Sequence, residues 1–188
     1  MASNIIKNLD NFYYHHTENK TCSNSNQHYH SGFEIYYMKE GKCHYFINDK
    51  SYDIVSGDIV LIPAGLIHGT NYGSKPCTRL LINFQNDFID KSLMSALLDI
   101  GYLYKNRETQ ALVNIIFDAI EKEYLANDDI SSASLKALTE SLVSLIIRNW
   151  KSGITREHNT IVEATIKYIQ ENYMQTIRLA EVAKMLSV

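Results

Sequence analysis

Three histidines and one glutamate stand at spacings that could bring their side chains together. The first element is His28-x-His30-x3-Glu34, with six residues between Glu34 and Gly41; the second is Gly57, five residues, Pro63-x-Gly65, two residues, His68. Side chains alternate faces along a β-strand, so residues of like parity point the same way. His28, His30, Glu34 and Tyr36 share even parity, and His68, on a strand entered through the Pro63-Gly65 turn, could join them. Three imidazoles and a carboxylate form a ligand set for a divalent transition metal (Zn, Mn, Ni or Fe), with positions left open for water or another ligand.

These residues need elements to position them, and the chain supplies two kinds. Before residue 86, short β-prone runs alternate with turn signals: Phe33-Glu34-Ile35-Tyr36-Tyr37-Met38, Cys43-His44-Tyr45-Phe46-Ile47, Tyr52-Asp53-Ile54, Ile59-Val60-Leu61-Ile62 and 78–84 (TRLLINF). Both prolines and six of the eight glycines fall in this half, near the turns, which argues a sandwich or barrel of many short strands. After residue 86 the period becomes helical. Val113, Ile116, Phe117, Ile120 and Tyr124 form one apolar stripe, and Leu135, Leu138, Leu142, Leu145 and Ile146 form a second after the start signal Ser131-Ser132. Val162, Ile166, Ile169 and Tyr173 form a third, and Leu179, Val182, Ala183 and Leu186 a fourth; the shorter apolar run 93–104 reads as a further helix. Strands first and helices after is an α+β arrangement. It divides into 1–86, the sandwich or barrel of strands; 87–150, a helical region; and, past a linker at 151–160, a segment at 159–188.

Composition narrows the function classes. The 188 residues are 45% hydrophobic and 21% charged, enough apolar material for a real core. Lys and Arg number 18 against 21 acidic residues, so phosphate neutralisation is a poor basis for function and this chain alone is not expected to grip DNA. The first ten residues carry no apolar signal segment, and no stretch approaches the ~18 apolar residues that span a bilayer. The odd, irregularly spaced cysteines Cys22, Cys43 and Cys77 suggest free thiols in a reducing, cytoplasmic setting with no membrane partner.

Further pocket candidates lie on the same strands. His44 is on the strand after Gly41, and Arg79, on the last strand, could neutralise a carboxylate or fork onto a pair of sugar hydroxyls. The tyrosines Tyr13, Tyr14, Tyr29, Tyr36, Tyr37, Tyr45 and Tyr52 suit stacking on sugar faces, although tyrosine is also simply a good strand former.

The two spaced elements resemble the two motifs of the cupin superfamily. The glycine that opens the first motif falls at Cys22, and the asparagine expected after the second-motif histidine is displaced, with Asn71 one position early; the four ligand positions are intact. The resemblance implies an N-terminal double-stranded β-helix barrel whose inner face binds a small molecule. It leaves open whether His28, His30, Glu34 and His68 hold a metal or hydrogen-bond an organic ligand directly.

The tail separates sensor from enzyme. Residues 161–173 (IVEATIKYIQENY) followed by Ile177-Arg178-Leu179-Ala180-Glu181-Val182-Ala183 resemble the opening of the AraC/XylS DNA-binding domain, with Arg178 where Ser or Thr would cap a helix. The sequence stops before the first recognition helix, so DNA contact is expected only through a missing C-terminal domain. The whole pattern is similar to an AraC-type transcription regulator. Its barrel would sense a small-molecule effector, a sugar for example, through some of His28, His30, Glu34, Tyr36, His44, His68 and Arg79. No catalytic residue is needed on this reading and no cofactor is required, and the long helices would form a homodimer or pack on their own barrel. The alternative is a metal-dependent cupin enzyme, a dioxygenase or isomerase, with His28, His30, Glu34 and His68 around the ion.

Overall fold

The computed structural model describes residues 11–21, 24–48, 50–73, 75–105 and 107–150, with 165, 168, 169, 172, 175 and 177–186 beyond them. The chain divides into two compact units, residues 1–155 and 156–188.

The first unit opens with β1 (Phe12–Thr21), β2 (Ser25–His28), β3 (Phe33–Glu40), β4 (Lys42–Ile47), β5 (Lys50–Val55), β6 (Ile59–Ile62), β7 (His68–Asn71) and β8 (Pro76–Phe84). It continues with α1 (Lys91–Asp99), β9 (Leu103–Tyr104), α2 (Gln110–Ala126) and α3 (Ser131–Arg148). The strands form two antiparallel sheets, one ordered β1-β8-β3-β6-β9 and the other β2-β7-β4-β5. The chain passes back and forth between them: β1, β3, β6 and β8 belong to the first sheet, while β2, β4, β5 and β7 belong to the second. The fold is α+β with the strand exchange expected of a double-stranded β-helix. The expected barrel is not closed, because no ladder of hydrogen bonds joins the two sheets among the described residues. What joins them is side-chain packing.

Burial follows from which faces are covered. Strand β3 is buried at every residue from Phe33 to Met38 because both its faces are used. Phe33, Ile35 and Tyr37 point to a core shared with the helices, and Tyr36 and Met38 to a core between the sheets. Strand β4 has one wet face, so Cys43, Tyr45 and Ile47 are buried while Lys42, His44 and Phe46 are exposed. At the β3–β4 turn Gly41 has a φ of +96°, and a Cβ there would lie 3.0 Å from that of Cys77. A larger residue would be strained by both backbone and neighbour.

The helices cover the other side of the five-stranded sheet. The α2 stripe of Val113, Ile116, Phe117, Ile120 and Tyr124 is buried, with the Phe117 ring stacked on Tyr37 at 5.3 Å. Asp128 starts α3, accepting from the backbone N–H of Ile130 (3.0 Å) and Ser131 (3.1 Å). Leu135, Leu142 and Ile146 are fully buried in this same core, with Leu138 and Leu145 packed against it. The α3 leucine stripe is thus used within the subunit, in the core shared by the helices and the five-stranded sheet, which is one of the two placements its spacing left open. The run 93–104 is helical only to Asp99; Leu103 and Tyr104 pair with Val60 and Ile59 as an edge strand. Cys77 is disulfide-bonded, so the free-thiol reading fails at that position; Cys43 is free and buried.

In the second unit, α4 (Leu179–Leu186) contains Leu179, Val182 and Ala183 of the fourth stripe. The third stripe lies largely outside the described residues. No described helix is long and apolar enough to cross a membrane.

The histidine and glutamate site between the sheets

Strand register fixes which side chains share the space between the sheets. Directly paired residues on antiparallel strands point to the same face. Tyr13 pairs with Asn83 and Asn83 with Glu34; His15 pairs with Leu81 and Leu81 with Tyr36; Thr17 pairs with Arg79 and Arg79 with Met38. Across the gap, His28 pairs with His68, His68 with Ile47, and Thr70 with Tyr45. The inner face therefore carries the expected even-numbered set and several residues besides.

Glu34 is the centre of one group. Its side chain is 6% exposed, and Oε1 accepts a hydrogen bond from the Tyr45 hydroxyl at 2.9 Å. Oε2 lies 3.2 Å from Nε2 of His30, and Nε2 of His68 is 3.9 Å from Oε1. One ligand atom from each of His30, Glu34 and His68 lies within 4.8 Å of the others. His28 is exposed and outside that trio, yet its ring centroid is 4.3 Å from that of His68.

The three imidazoles are held in the same way. Nδ1 of His28 is 2.9 Å from the Asn26 carbonyl, Nδ1 of His30 is 2.8 Å from that of Gly32, and Nδ1 of His68 is 2.8 Å from that of Leu66. Each Nδ1 faces a carbonyl two residues away; with Nδ1–H donating there, Nε2 is the free ring nitrogen of His28 and His68, whereas Nε2 of His30 donates to Glu34. A backbone acceptor that fixes the tautomer in this way is the usual support for a metal-binding imidazole. At His68 the consequence is plain: Nε2 is buried and has no hydrogen-bond partner.

Charge is distributed unevenly over the group. For Glu34, burial works against the carboxylate, but the His30 hydrogen bond, the neighbouring imidazoles and Tyr45 outweigh it and hold its pKa below the ordinary value. Burial also opposes a charge on His30, yet the Glu34 hydrogen bond and charge raise its pKa. At His68 burial wins over the attraction of Glu34, and the pKa falls. The result is an ionised carboxylate paired with His30 beside a neutral His68 that offers a lone pair. This donor set fits a divalent cation as well as it fits a polar ligand.

Gly32 has a specific place here. A Cβ on it would run into the Asn83 side-chain oxygen and come within 2.8 Å of the Phe84 carbonyl. Its absence lets Asn83 come within 3.1 Å of the His30 ring.

The remaining candidates are placed as follows. Tyr36 is buried on the inner face, with its hydroxyl 3.1 Å from that of Tyr72 and 3.7 Å from Sγ of Cys43. Arg79 reaches the same region, its guanidinium 5.9 Å from the Tyr72 ring centroid. His44 does not join them: its side chain is 64% exposed on the outer face of β4, with Nδ1 2.6 Å from Asp53 Oδ1. His15, Asn83 and Tyr72 were not singled out by the sequence reasoning. The signal was present for two of them, since Asn83 shares parity with Arg79 and His15 with Tyr13 once β1 is taken as a strand.

The AraC-like ligand binding domain family matches residues 13–143 of the chain. Among solved structures, apo ToxT from Vibrio cholerae strain SCE256, in a variant form, aligns over 97% of this chain and 72% of its own at 14% identity, with a TM-score of 0.56. Wild-type ToxT from the same strain with an unsaturated fatty acid bound aligns over 97% and 71% at 16% identity, with a TM-score of 0.55. At such identities these likenesses speak for the fold. No curated protein matches. The family match spans helices α1 and α2 and, but for Phe12, both sheets, and it reaches into α3; the chain therefore belongs to the AraC-like ligand-binding domain family.

Proposed function

We propose that the chain is the effector-sensing part of a cytoplasmic transcription regulator. A small molecule binds between the sheets, and residues 159–188 belong to a helix-turn-helix domain through which DNA is contacted. The observation that carries the reading is the buried, unpartnered Nε2 of His68 in a polar group formed by His28, His30, Glu34 and His68, beside Tyr36 on the inner face. A binding module needs such unsatisfied groups, because a ligand that pairs with them gains the full benefit of relieving a buried polar atom. No nucleophile is required. Binding acts on DNA recognition only if the ligand prefers one arrangement of the two units, and it then shifts the equilibrium toward that arrangement.

The ligand class is open to two kinds of molecule. A sugar would use the hydroxyl-binding capacity of the His and Glu group and the tyrosine faces. The fatty acid in ToxT is the precedent for an acidic, largely apolar effector in this fold. Homodimerisation is part of the proposal, with exposed Leu112 and Ile115 on α2 as its surface in place of the buried α3 leucines.

Metal is the second reading, favoured by the same trio. His30, Glu34 and His68, with His28 beside them, would hold a divalent transition metal ion, which would supply a Lewis-acid centre for ligand oxygens. A catalytic role as a metal-dependent enzyme would require that ion. Protein purified without chelator is expected to carry less than stoichiometric Zn, Mn, Ni or Fe; a full equivalent that survives dialysis favours the enzyme.

The sensor reading is tested by melting temperature against a panel of monosaccharides, aliphatic acids and aromatic acids. At least one compound should raise the melting point of the chain by several degrees. His28→Ala should reduce that shift without changing the melting point of the free protein, since His28 is exposed. His30→Ala is a poorer probe, because it leaves the Glu34 carboxylate short of a donor. No shift with any compound, or an equal shift in His28→Ala, counts against the site.

A further inference from the structure

Strands β1 and β8 carry a strip of the inner face that is only half-buried. Tyr13, His15 and Thr17 on β1 and their partners Asn83, Leu81 and Arg79 on β8 are all partly open to solvent. Phe12, Tyr14, Leu80, Ile82 and Phe84, which alternate with them, face the helices and are buried. One face of this strand pair is thus sealed, and the other is covered by the second sheet only in part.

The strip joins two groups that lack partners. At one end Asn83 pairs with Glu34, beside His68. Nδ1 of His68 faces the Leu66 carbonyl, and its buried Nε2 has no hydrogen-bond partner. With Nδ1–H donating to that carbonyl, Nε2 is an acceptor, which a ligand hydroxyl answers. The Glu34 carboxylate, 3.9 Å from Nε2, repels an anion from this end. At the other end the Nε of Arg79 is also buried without a partner, and no carboxylate pairs with it among the described residues. A guanidinium partly withdrawn from water without an anion is unfavourable, and its fork suits a carboxylate. One guanidinium matches a single negative charge, which favours a carboxylate over a phosphate.

Between the two ends the gap is polar and aromatic. The Arg79 guanidinium lies 5.9 Å from the Tyr72 ring centroid, and the Tyr36 hydroxyl donates to that of Tyr72 at 3.1 Å. The Tyr36 ring meets Tyr45 edge-on at 5.1 Å, and the Tyr45 hydroxyl donates to Glu34 at 2.9 Å. A row of tyrosines therefore runs from one centre to the other. Both charges also reach Tyr13: burial raises its pKa most, and Arg79 lowers it while Glu34 raises it further.

We infer that the effector is a polyhydroxy carboxylate, a sugar acid, that lies along this strip with its carboxylate on Arg79 and its hydroxyls at the histidine end. The inference rests on the reading that a small molecule binds between the sheets, and it narrows the ligand class. A neutral sugar leaves Arg79 unanswered, and an apolar acid leaves Nε2 of His68 without a donor. The ends are about 13 Å apart along β8, and side chains enter the gap from both, which suits one or two sugar units.

Calorimetric titration with gluconate, galacturonate and lactobionate tests it, against their neutral counterparts sorbitol, galactose and lactitol and against hexanoate, which has the carboxylate but no hydroxyls. At least one sugar acid should bind saturably, with its neutral counterpart and hexanoate each at least about tenfold weaker. Arg79→Gln should weaken that acid by roughly 10- to 100-fold and leave the neutral counterpart unchanged, and Arg79→Lys should fall between. The free Arg79→Gln protein should melt at or above the wild-type temperature, since it loses an unbalanced charge; this separates a binding defect from misfolding. No saturable binding of any of the three acids, a neutral counterpart or hexanoate that binds as tightly, or binding untouched by Arg79→Gln would overturn the inference. An effector from the melting panel that depends on His28 and ignores Arg79→Gln would overturn it while the sensor reading stands. Failure of the whole panel and of the sugar acids removes both.

Discussion

Two polar centres share one sheet face, about 13 Å apart along the four residues of β8 that separate Asn83 from Arg79. At one end Glu34 is buried and almost fully satisfied by Tyr45 and His30, with a neutral imidazole at its side. At the other end Arg79 is half-buried, its Nε is unpartnered, and no carboxylate pairs with it among the described residues. The first is a network that holds itself together and keeps one nitrogen in reserve; the second is a charge that no described carboxylate answers. Charge burial alone therefore does not mark a ligand site. What matters is whether the protein has already answered the charge.

Substitutions can break or sharpen this contrast. The largest effect is expected from Glu34→Ala, which strands the Tyr45 hydroxyl and His30 and should cost about 2–3 kcal/mol in urea denaturation, whereas Arg79→Gln should cost nothing in the free protein. Equal losses at both positions would erase the distinction. The Glu34→Ala deficit should also depend on pH in metal-free protein. The lowered pKa of Glu34 contributes stability that is present above its ordinary value of 4.5 and is lost as pH falls. The raised pKa of His30 contributes stability that is present below its ordinary value of 6.5 and is lost as pH rises through the raised value. The deficit should therefore be greatest between pH 4.5 and 6.5 and narrow on either side, a profile that denaturation at a series of pH values would show or deny.

Gly32→Ala comes next. The new methyl meets the Asn83 side chain and the Phe84 carbonyl, so about 1–3 kcal/mol should be lost, with a change in the His30 ring resonances and none in those of residues around Arg79. The smallest effect belongs to His44→Ala. His44 and Asp53 form an exposed pair, and the change in stability should stay within about 0.5 kcal/mol. A larger loss would mean that the outer face of β4 is not solvent-facing.

Much of this arrangement was legible in the residues. The β-prone run Phe33-Glu34-Ile35-Tyr36-Tyr37-Met38, ended by a turn at Gly41, gave the strand, and the even parity of Glu34 and Tyr36 gave their shared face. The 3.6-residue stripes of α2 and α3 located both helices to within a few residues. Strand β1 escaped notice because Phe12, Tyr14 and His16 face the helices while Tyr13, His15 and Thr17 face the gap, so neither side reads as a clean apolar row. His44 was misplaced for a related reason. It is one residue from Tyr45, and a period of two turns that single step into the opposite face.

The sequence by itself determined the family, the succession of a strand-rich half before the long helices, and the candidate set His28, His30, Glu34 and His68, because these depend on local periodicity and on spacing along the chain. Only the tertiary structure decided which of them meet. His28 and His68 are forty residues apart and become neighbours through the pairing of β2 with β7, and among the described residues no carboxylate is brought to Arg79. Whether the leucines of α3 face a second subunit or their own sheet was likewise undecided by their spacing, since both surfaces want the same apolar stripe. In the structure they are buried in the core of their own chain, where burial carries no cost of bringing two molecules together.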